Sequence, residues 1–348
     1  MDFLFVGIII TLVFLDKKMV IEEKNNEISI DQSNYVKGIL SLIIFFHHFS
    51  PEVGGSIFSE QGALAVSVFF FLSAYGLTKG WLKKYSKQII CINIPQLILI
   101  SLFSIIYKCI YLYLIGDVLS YKEIIIGALT GMKVLNWFFP VIILLYVLFA
   151  LSIVISSKIS MFSSSVKMVV CNIILVTILS GIFFYLFIKG IILLHWLISL
   201  YAFPLGIIVS VLESKKNYLK RSIFGIITLL FILLLFLSGY LNANGDSLIR
   251  MIKMLIYYTN SLIVCYLAYY LVQGKASKCV LGKIGSCSAE IILTQNMALT
   301  MFRNDKIYIN NNIIYFLMTM ITQVMLVIVL LPVYRWIKSW SKSLGMRY

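Results

Sequence analysis

The chain has 348 residues, 61% of them apolar and only 12% charged, with a mean hydropathy of +0.99. A soluble globular domain is nearer half apolar and a quarter charged, so the sequence predicts a chain solvated mainly by a lipid bilayer and excludes an ordinary soluble enzyme. The formal net charge of +15 does not mark a nucleic-acid binder, because Lys and Arg fall in short gaps between apolar runs instead of along one polar face.

A span takes roughly 20 apolar residues, so this length supplies about ten and leaves little for a soluble domain. Apolar runs bounded by Lys, Gly, Asn and Pro predict about eleven helices, starting near residues 2, 35, 62, 90, 137, 166, 191, 222, 252, 287 and 312. The expected fold is all-α, a polytopic membrane helical bundle of about 10–11 transmembrane helices. The first run, residues 3–15, lacks a basic leader and a small-residue cleavage site, and reads as a retained short helix and not a signal peptide. The polar stretch 21–33 (IEEKNNEISIDQS) follows it. Residues 1–33 therefore read as an added helix with a cytoplasmic linker, and 34–345 as the functional membrane domain.

Placing the loops alternately on two sides puts 21 of the 29 Lys and Arg on one side. The other side keeps 8, Lys108 and Arg303 among them. Cytoplasmic loops attract Lys and Arg, so the split predicts a multi-pass protein with its N-terminus outside and its C-terminus inside. Residues 121–135, weakly apolar with Gly127 and Gly131, read as a re-entrant or interfacial piece on the outer side. Six cysteines without a CxxC pair suggest neither a disulfide framework nor a zinc site, and no metal-ligand cluster is expected. His195 and Trp196 open the seventh predicted helix and suit an aromatic belt.

Ionisable groups inside a membrane are costly, so each is a functional suspect. In the second helix, YVKGILSLIIFFHHFS, Lys37 opens the span and His47 and His48 close it. The eleven residues from Lys37 to His48 rise about 16 Å. A neutral imidazole can take a hydroxyl proton near neutral pH or carry an acyl group itself. The alternative is an interfacial histidine pair with no chemical part. The third helix is rich in small residues (Gly62, Ala63, Ala65, Ser67, Ser73, Ala74, Gly76) that allow close packing. Glu52 and Glu60, in the loop before it, either orient a histidine, meet a polar acceptor or are simply solvated. Glu290 can pair with Lys37 or snorkel at the boundary. The basic loops 79–87, 215–221 and 275–283 either follow the positive-inside rule or grip phosphates.

Four passages carry a resemblance. Lys37 and His48 are a basic residue and a histidine separated by ten others. FFFLSAYGL, residues 69–77, is similar to a Phe-Phe-Phe-x-Ser-Gly-Tyr-Gly-Leu signature, with Ala74 in a glycine position. Asn136, Trp137 and Phe138 open a helix that continues as ILLYVLF, and LGKIGSCSAEIILTQ, residues 281–295, forms a late passage. AFPLGIIVS, residues 202–210, is a fainter match. Together they resemble the integral membrane acyltransferases known as the acyltransferase 3 family, over roughly residues 35–345. The resemblance implies an O-acyltransferase of the plasma membrane that moves an acyl group, acetyl in the simplest case, from cytoplasmic acyl-CoA to a sugar or polysaccharide hydroxyl. No bound cofactor is implied. It makes His48 the catalytic histidine, with His47 the competing assignment, and Lys37 its basic partner toward the donor. Ser73, Tyr75, Asn136, Trp137, Glu290 and Gln295 become the candidate substrate-binding positions. Ile292 and Gln295 stand where the family pattern has tyrosine and histidine, and an amide is no base near neutral pH. The competing readings are a transporter or flippase for glycolipid precursors, and an inactive relative of the acyltransferases.

Overall fold

A computed structural model describes residues 2–17, 28–58, 61–83, 92–117, 119–131, 135–158, 164–192, 194–214, 247–272 and 280–345. The described chain is helical. Its elements are α1 (Asp2–Lys17), α2 (Ile30–Phe49), α3 (Gln61–Leu82), α4 (Ile94–Ile115), α5 (Tyr121–Thr130), α6 (Phe138–Lys158) and α7 (Ser164–Ile188). They continue with α8 (His195–Ile198), α9 (Ala202–Ser214), α10 (Ser247–Val272), α11 (Val280–Ser286), α12 (Ser288–Thr300) and α13 (Asn312–Gly345). Among the described residues, six segments are long and apolar enough to cross a membrane: α3, α4, α6, α7, the α8–α9 stretch Trp196–Ser214, and α13. The helix expected from residue 222 lies outside the described residues, as do the basic loop positions 84–87, 215–221 and 275–279.

The pattern of burial is that of a protein in lipid. On α4, Ile98, Leu102, Ile106, Ile110 and Tyr113 form an exposed apolar stripe, and Ile174, Ile178, Ile182 and Tyr185 do the same on α7. Polar side chains such as Asn172, Asn260, Gln295 and Gln323 turn inward. Only an apolar solvent makes that arrangement favourable.

Helices α2 and α3 form the centre. α2 packs on α11 and α12, and α3 on α9 and α10. The closest approach is at α2 and α11, where a Cβ on Gly285 would overlap the Asn34 carbonyl and one on Gly38 would overlap the Leu281 carbonyl. Gly206 of α9 sits as tightly on the Phe71 carbonyl, beside Ala74. Small residues let helix backbones approach where lipid gives no hydrophobic drive to associate.

The bundle has two ends. The pairs Asp2 with Ser50 and Ser56, Tyr111 with Thr300, and Trp137 with Trp196 lie toward one end, with Tyr315; this end is poor in lysine. Ile28, Tyr75, Lys79, Glu213, Tyr269, Glu290 and Lys338 lie toward the other, lysine-rich end. α5 stays at the first end: ten residues reach about 15 Å, half a bilayer core, and Tyr121, Ile125 and Leu129 are exposed. A capping box between Ser120 and Glu123 starts it, and Gly131 at φ 66° ends it.

Four expectations change. α2 begins at Ile30, inside the stretch read as linker, because Ser29 and Gln32 cap each other: the Gln32 amide donates to Ser29 Oγ at 3.2 Å, and the Ser29 amide to Gln32 Oε1 at 2.7 Å. A short helix that was not expected, α11 (Val280–Ser286), precedes the helix expected from residue 287, which begins at Ser288 as α12. An interruption at residues 199–201 divides the helix expected from residue 191 into α8 and α9. Trp196 is no belt residue; it is buried against Phe183 (ring centroids 5.2 Å apart) and Trp137 (6.4 Å).

α1 is docked at the lysine-poor end. The buried Asp2 carboxylate accepts from Ser50 Oγ at 2.5 Å and from the Ser56 and Ile57 amides at 2.8 Å each, and Phe5 stacks on Phe46 at 4.4 Å. Asp2→Ala should leave two loop amides without their acceptor and cost about 1–3 kcal/mol. Faster proteolysis between residues 50 and 58 is the expected readout.

Candidate functional site

Neighbouring helix residues point about 100° apart, so His47 and His48 cannot serve the same face. His47 turns to the loop and α3: its Nδ1 is 3.0 Å from the Phe58 carbonyl oxygen, and its ring lies against Gly62. His48, edge-on to His47 at 4.7 Å, lines a cavity of about 460 Å³. The cavity opens among α2, α4, α12, the start of α13 and the loops at the lysine-poor end. Asn296, Thr300, Arg303, Asn304, Lys108 and Tyr315 share its wall, with Glu52 and Asp117.

Arg303 is the brace of this wall. Its guanidinium donates to the Glu52 carbonyl, to Asn312 Oδ1 at 2.6 Å and to the Ile309 carbonyl at 3.4 Å, and lies 4.1 Å from the Tyr315 ring centroid. A planar fork of donors suits this several-fold attachment, which one ammonium could not reproduce. Tyr315 donates to the Leu299 carbonyl at 3.1 Å, and Tyr111 lies 2.9 Å from Thr300 Oγ1. His48 therefore sits in a fixed polar wall able to hydrogen-bond a polyol.

The predicted site residues divide between the ends. Only His48 lines the cavity. Lys37 is half-buried near the opposite end of α2, where it lies close enough to Lys338 for the two ammonium groups to repel. Glu290 neither pairs with Lys37 nor snorkels: it is 1% exposed and meets Lys338 at 3.1 Å. Tyr75 donates to Glu213 Oε2 at 2.5 Å, Tyr269 to Oε1 at 2.7 Å, and Lys79 stands 2.7 Å from the same carboxylate. Ser73 is half-buried beside Tyr146. Asn136 Oδ1 accepts from the Phe138 amide at 3.2 Å and starts α6, while the Trp137 backbone packs on Gly131, itself part of the cavity wall. Gln295 is fully buried one residue before Asn296, and neither of its amide atoms has a hydrogen-bond partner among the described residues.

The Glu213 cluster joins α3, α9 and α10, and the Ile28 amide donates to Tyr75 Oη at 3.0 Å, tying in the approach to α2. Glu213→Ala would remove the carboxylate that accepts from two buried hydroxyls and faces a mostly buried ammonium. Removing one partner of a buried pair costs about 3–5 kcal/mol, so thermal unfolding of the purified protein in detergent should shift markedly downward. Glu213→Gln, which keeps an acceptor, should shift it less.

Along α13 the polar residues fall in two groups, Tyr315, Thr319 and Gln323 toward the cavity and Tyr334 and Lys338 toward the lysine-rich end, with apolar residues 324–333 between them. Gln323 donates to Thr294 Oγ1 at 2.8 Å and to the Ile291 carbonyl at 3.2 Å; Tyr334 lies 3.4 Å from Ser104 of α4. Among the described residues, Gln323 Oε1 and Glu290 Oε2 have no hydrogen-bond partner although buried. Unpaired polar atoms at that depth are costly.

Lys108, Arg303, Tyr315 and Asn296 are wall residues that the sequence pattern did not single out. In the sequence Lys108 and Arg303 read only as loop charges on the outer side, whereas Lys108 lies inside α4, about two turns from its end. A lysine within SIIYKCIYLYLI was the available signal, by the rule that intramembrane charge is a functional suspect. No family model, curated protein or solved structure matches this chain.

Proposed function

We propose that the protein is a membrane O-acyltransferase that moves an acyl group from a cytoplasmic acyl-CoA to a sugar hydroxyl, with the lysine-rich end in the cytoplasm. The observation that carries this reading is the placement of His48 in a polyol-sized cavity whose wall offers Asn296, Thr300 and Asn304, while His47 is occupied elsewhere. The resemblance in Lys37, His48 and FFFLSAYGL supports it independently of that geometry.

In this reading the acceptor hydroxyl rests on the cavity wall and gives its proton to the His48 imidazole while its oxygen attacks the thioester carbonyl. The carbon–sulfur bond breaks, the coenzyme leaves as thiolate and takes the proton from His48, and the products are a sugar ester and free coenzyme A thiol. Lys37 and Lys338 are the cations near the donor's entrance. Tyr334 at one end of α13 and Thr319 and Gln323 nearer the cavity give the donor's amide-bearing arm hydrogen-bonding partners on its way to His48. Membranes containing the protein, supplied with labelled acetyl-CoA, should esterify envelope glycans with label above membranes that lack it. No excess label would overturn the proposal.

The interrupted helices α8–α9 and α11–α12 favour a second reading, a transporter of glycolipid precursors, since broken helices commonly line transport paths. The same experiment separates the two, because a transporter forms no ester.

A further inference from the structure

Lys108 is the residue of the cavity that the fold does not explain. It is 8% exposed, sits within α4 and lines the cavity, yet its one contact among the described residues is with the Tyr111 ring, 4.9 Å from the ammonium. The two carboxylates in the cavity wall, Glu52 and Asp117, are exposed, and neither comes within ion-pair distance of it. Arg303, the other cation of the wall, is committed to the Glu52 carbonyl, Asn312, the Ile309 carbonyl and Tyr315. One cation–π contact offsets only part of the cost of keeping an ammonium out of water. A packed bundle keeps such a charge where something else completes it.

We infer that the cavity takes an anionic sugar, with Lys108 receiving its carboxylate or phosphate while Asn296, Thr300 and Asn304 bind hydroxyls. The anion neutralises Lys108, and a charge-assisted hydrogen bond is among the strongest available to a ligand. A neutral sugar of the same size leaves the ammonium uncompensated and binds more weakly. The inference deepens the acyl-transfer reading by naming its acceptor class, and it rests on that reading for the word acceptor; the binding itself is independent of any transfer.

The test is thermal unfolding of the purified full chain in detergent, without acyl donor, titrated with D-glucuronate, glucose 1-phosphate, inorganic phosphate or D-glucose. At least one of the two sugar acids should stabilise the protein at concentrations where glucose does not, and which one does separates a carboxylate acceptor from a phosphorylated one. Lys108→Met should weaken that response about tenfold or more, with no loss of unfolding temperature in the unliganded protein, and Lys108→Arg should restore much of it. Equal response to glucose and to both sugar acids would overturn the inference. So would an inorganic phosphate response matching that of the sugar acids, or a Lys108→Met protein that responds unchanged or unfolds earlier without ligand. If sugar acids bind as described while no ester ever forms, it is the transferase reading that fails.

Discussion

His48→Ala should lower acyl transfer by about 10²–10⁴-fold, the range a positioned general base contributes, while the protein accumulates in membranes at the normal level. His48 is half-buried at a helix end and faces the cavity, so truncating it removes little packing. His47→Ala is the informative companion. That side chain meets the Phe58 carbonyl and packs on Gly62, so its loss should loosen the 50–58 loop and leave transfer within a few-fold of the intact protein. Transfer that survives without His48 and vanishes without His47 would reverse the assignment of roles.

Gly285→Leu should abolish folding. The position meets the backbone of α2 at Asn34, and its counterpart Gly38 meets the backbone of α11 at Leu281. Backbone cannot rotate aside as a flexible side chain can, so relief requires separating the two helices at the centre of the bundle. Overpacking in cores typically costs about 1–3 kcal/mol and more where no rotamer relieves it. Loss of monodisperse protein on detergent extraction is the expected readout. Gly76→Ala is the control, because a Cβ there meets nothing within 4 Å. A Gly285→Leu protein that extracts as well as the control would contradict the helix pairing.

Much of the bundle was legible because long apolar runs have one stable form in lipid, with backbone polar groups paired inside a helix. The starts predicted near residues 2, 62, 137, 166 and 312 agree with α1, α3, α6, α7 and α13 to within a few residues. What escaped was set by pairs of residues far apart in sequence or by short capping signals. The Ser29–Gln32 capping box extends α2 back into a polar stretch, although its Ser-x-x-Gln spacing was there to be read.

The candidate site was legible in part for the same reason. His48 could be singled out because histidine is scarce and chemically apt, and its sequence position alone set it near the end of a span. Lys108 and Arg303 looked like boundary charges, and only the convergence of α2, α4, α12 and α13 makes them neighbours of His48. Glu290 was rightly suspect, but its partner Lys338 lies 48 residues away and no pattern connects the two. Tyr75 belongs to a recognisable passage, yet its place is the Glu213 cluster and not the cavity. Within FFFLSAYGL, Phe71, Ala74 and Tyr75 meet α9 and α10, while Phe69 and Phe70 pack on Phe138 of α6.

The central claim is that one protein joins a donor at the lysine-rich end to an acceptor at the His48 end. Its most direct test uses purified protein in sealed liposomes, with labelled acetyl-CoA added outside and an acceptor glycan trapped inside. The account predicts label on the trapped glycan, with free coenzyme A thiol accumulating outside, and neither product with His48→Ala. Label confined to glycan placed on the same side as acetyl-CoA, or no label on either side, would contradict it.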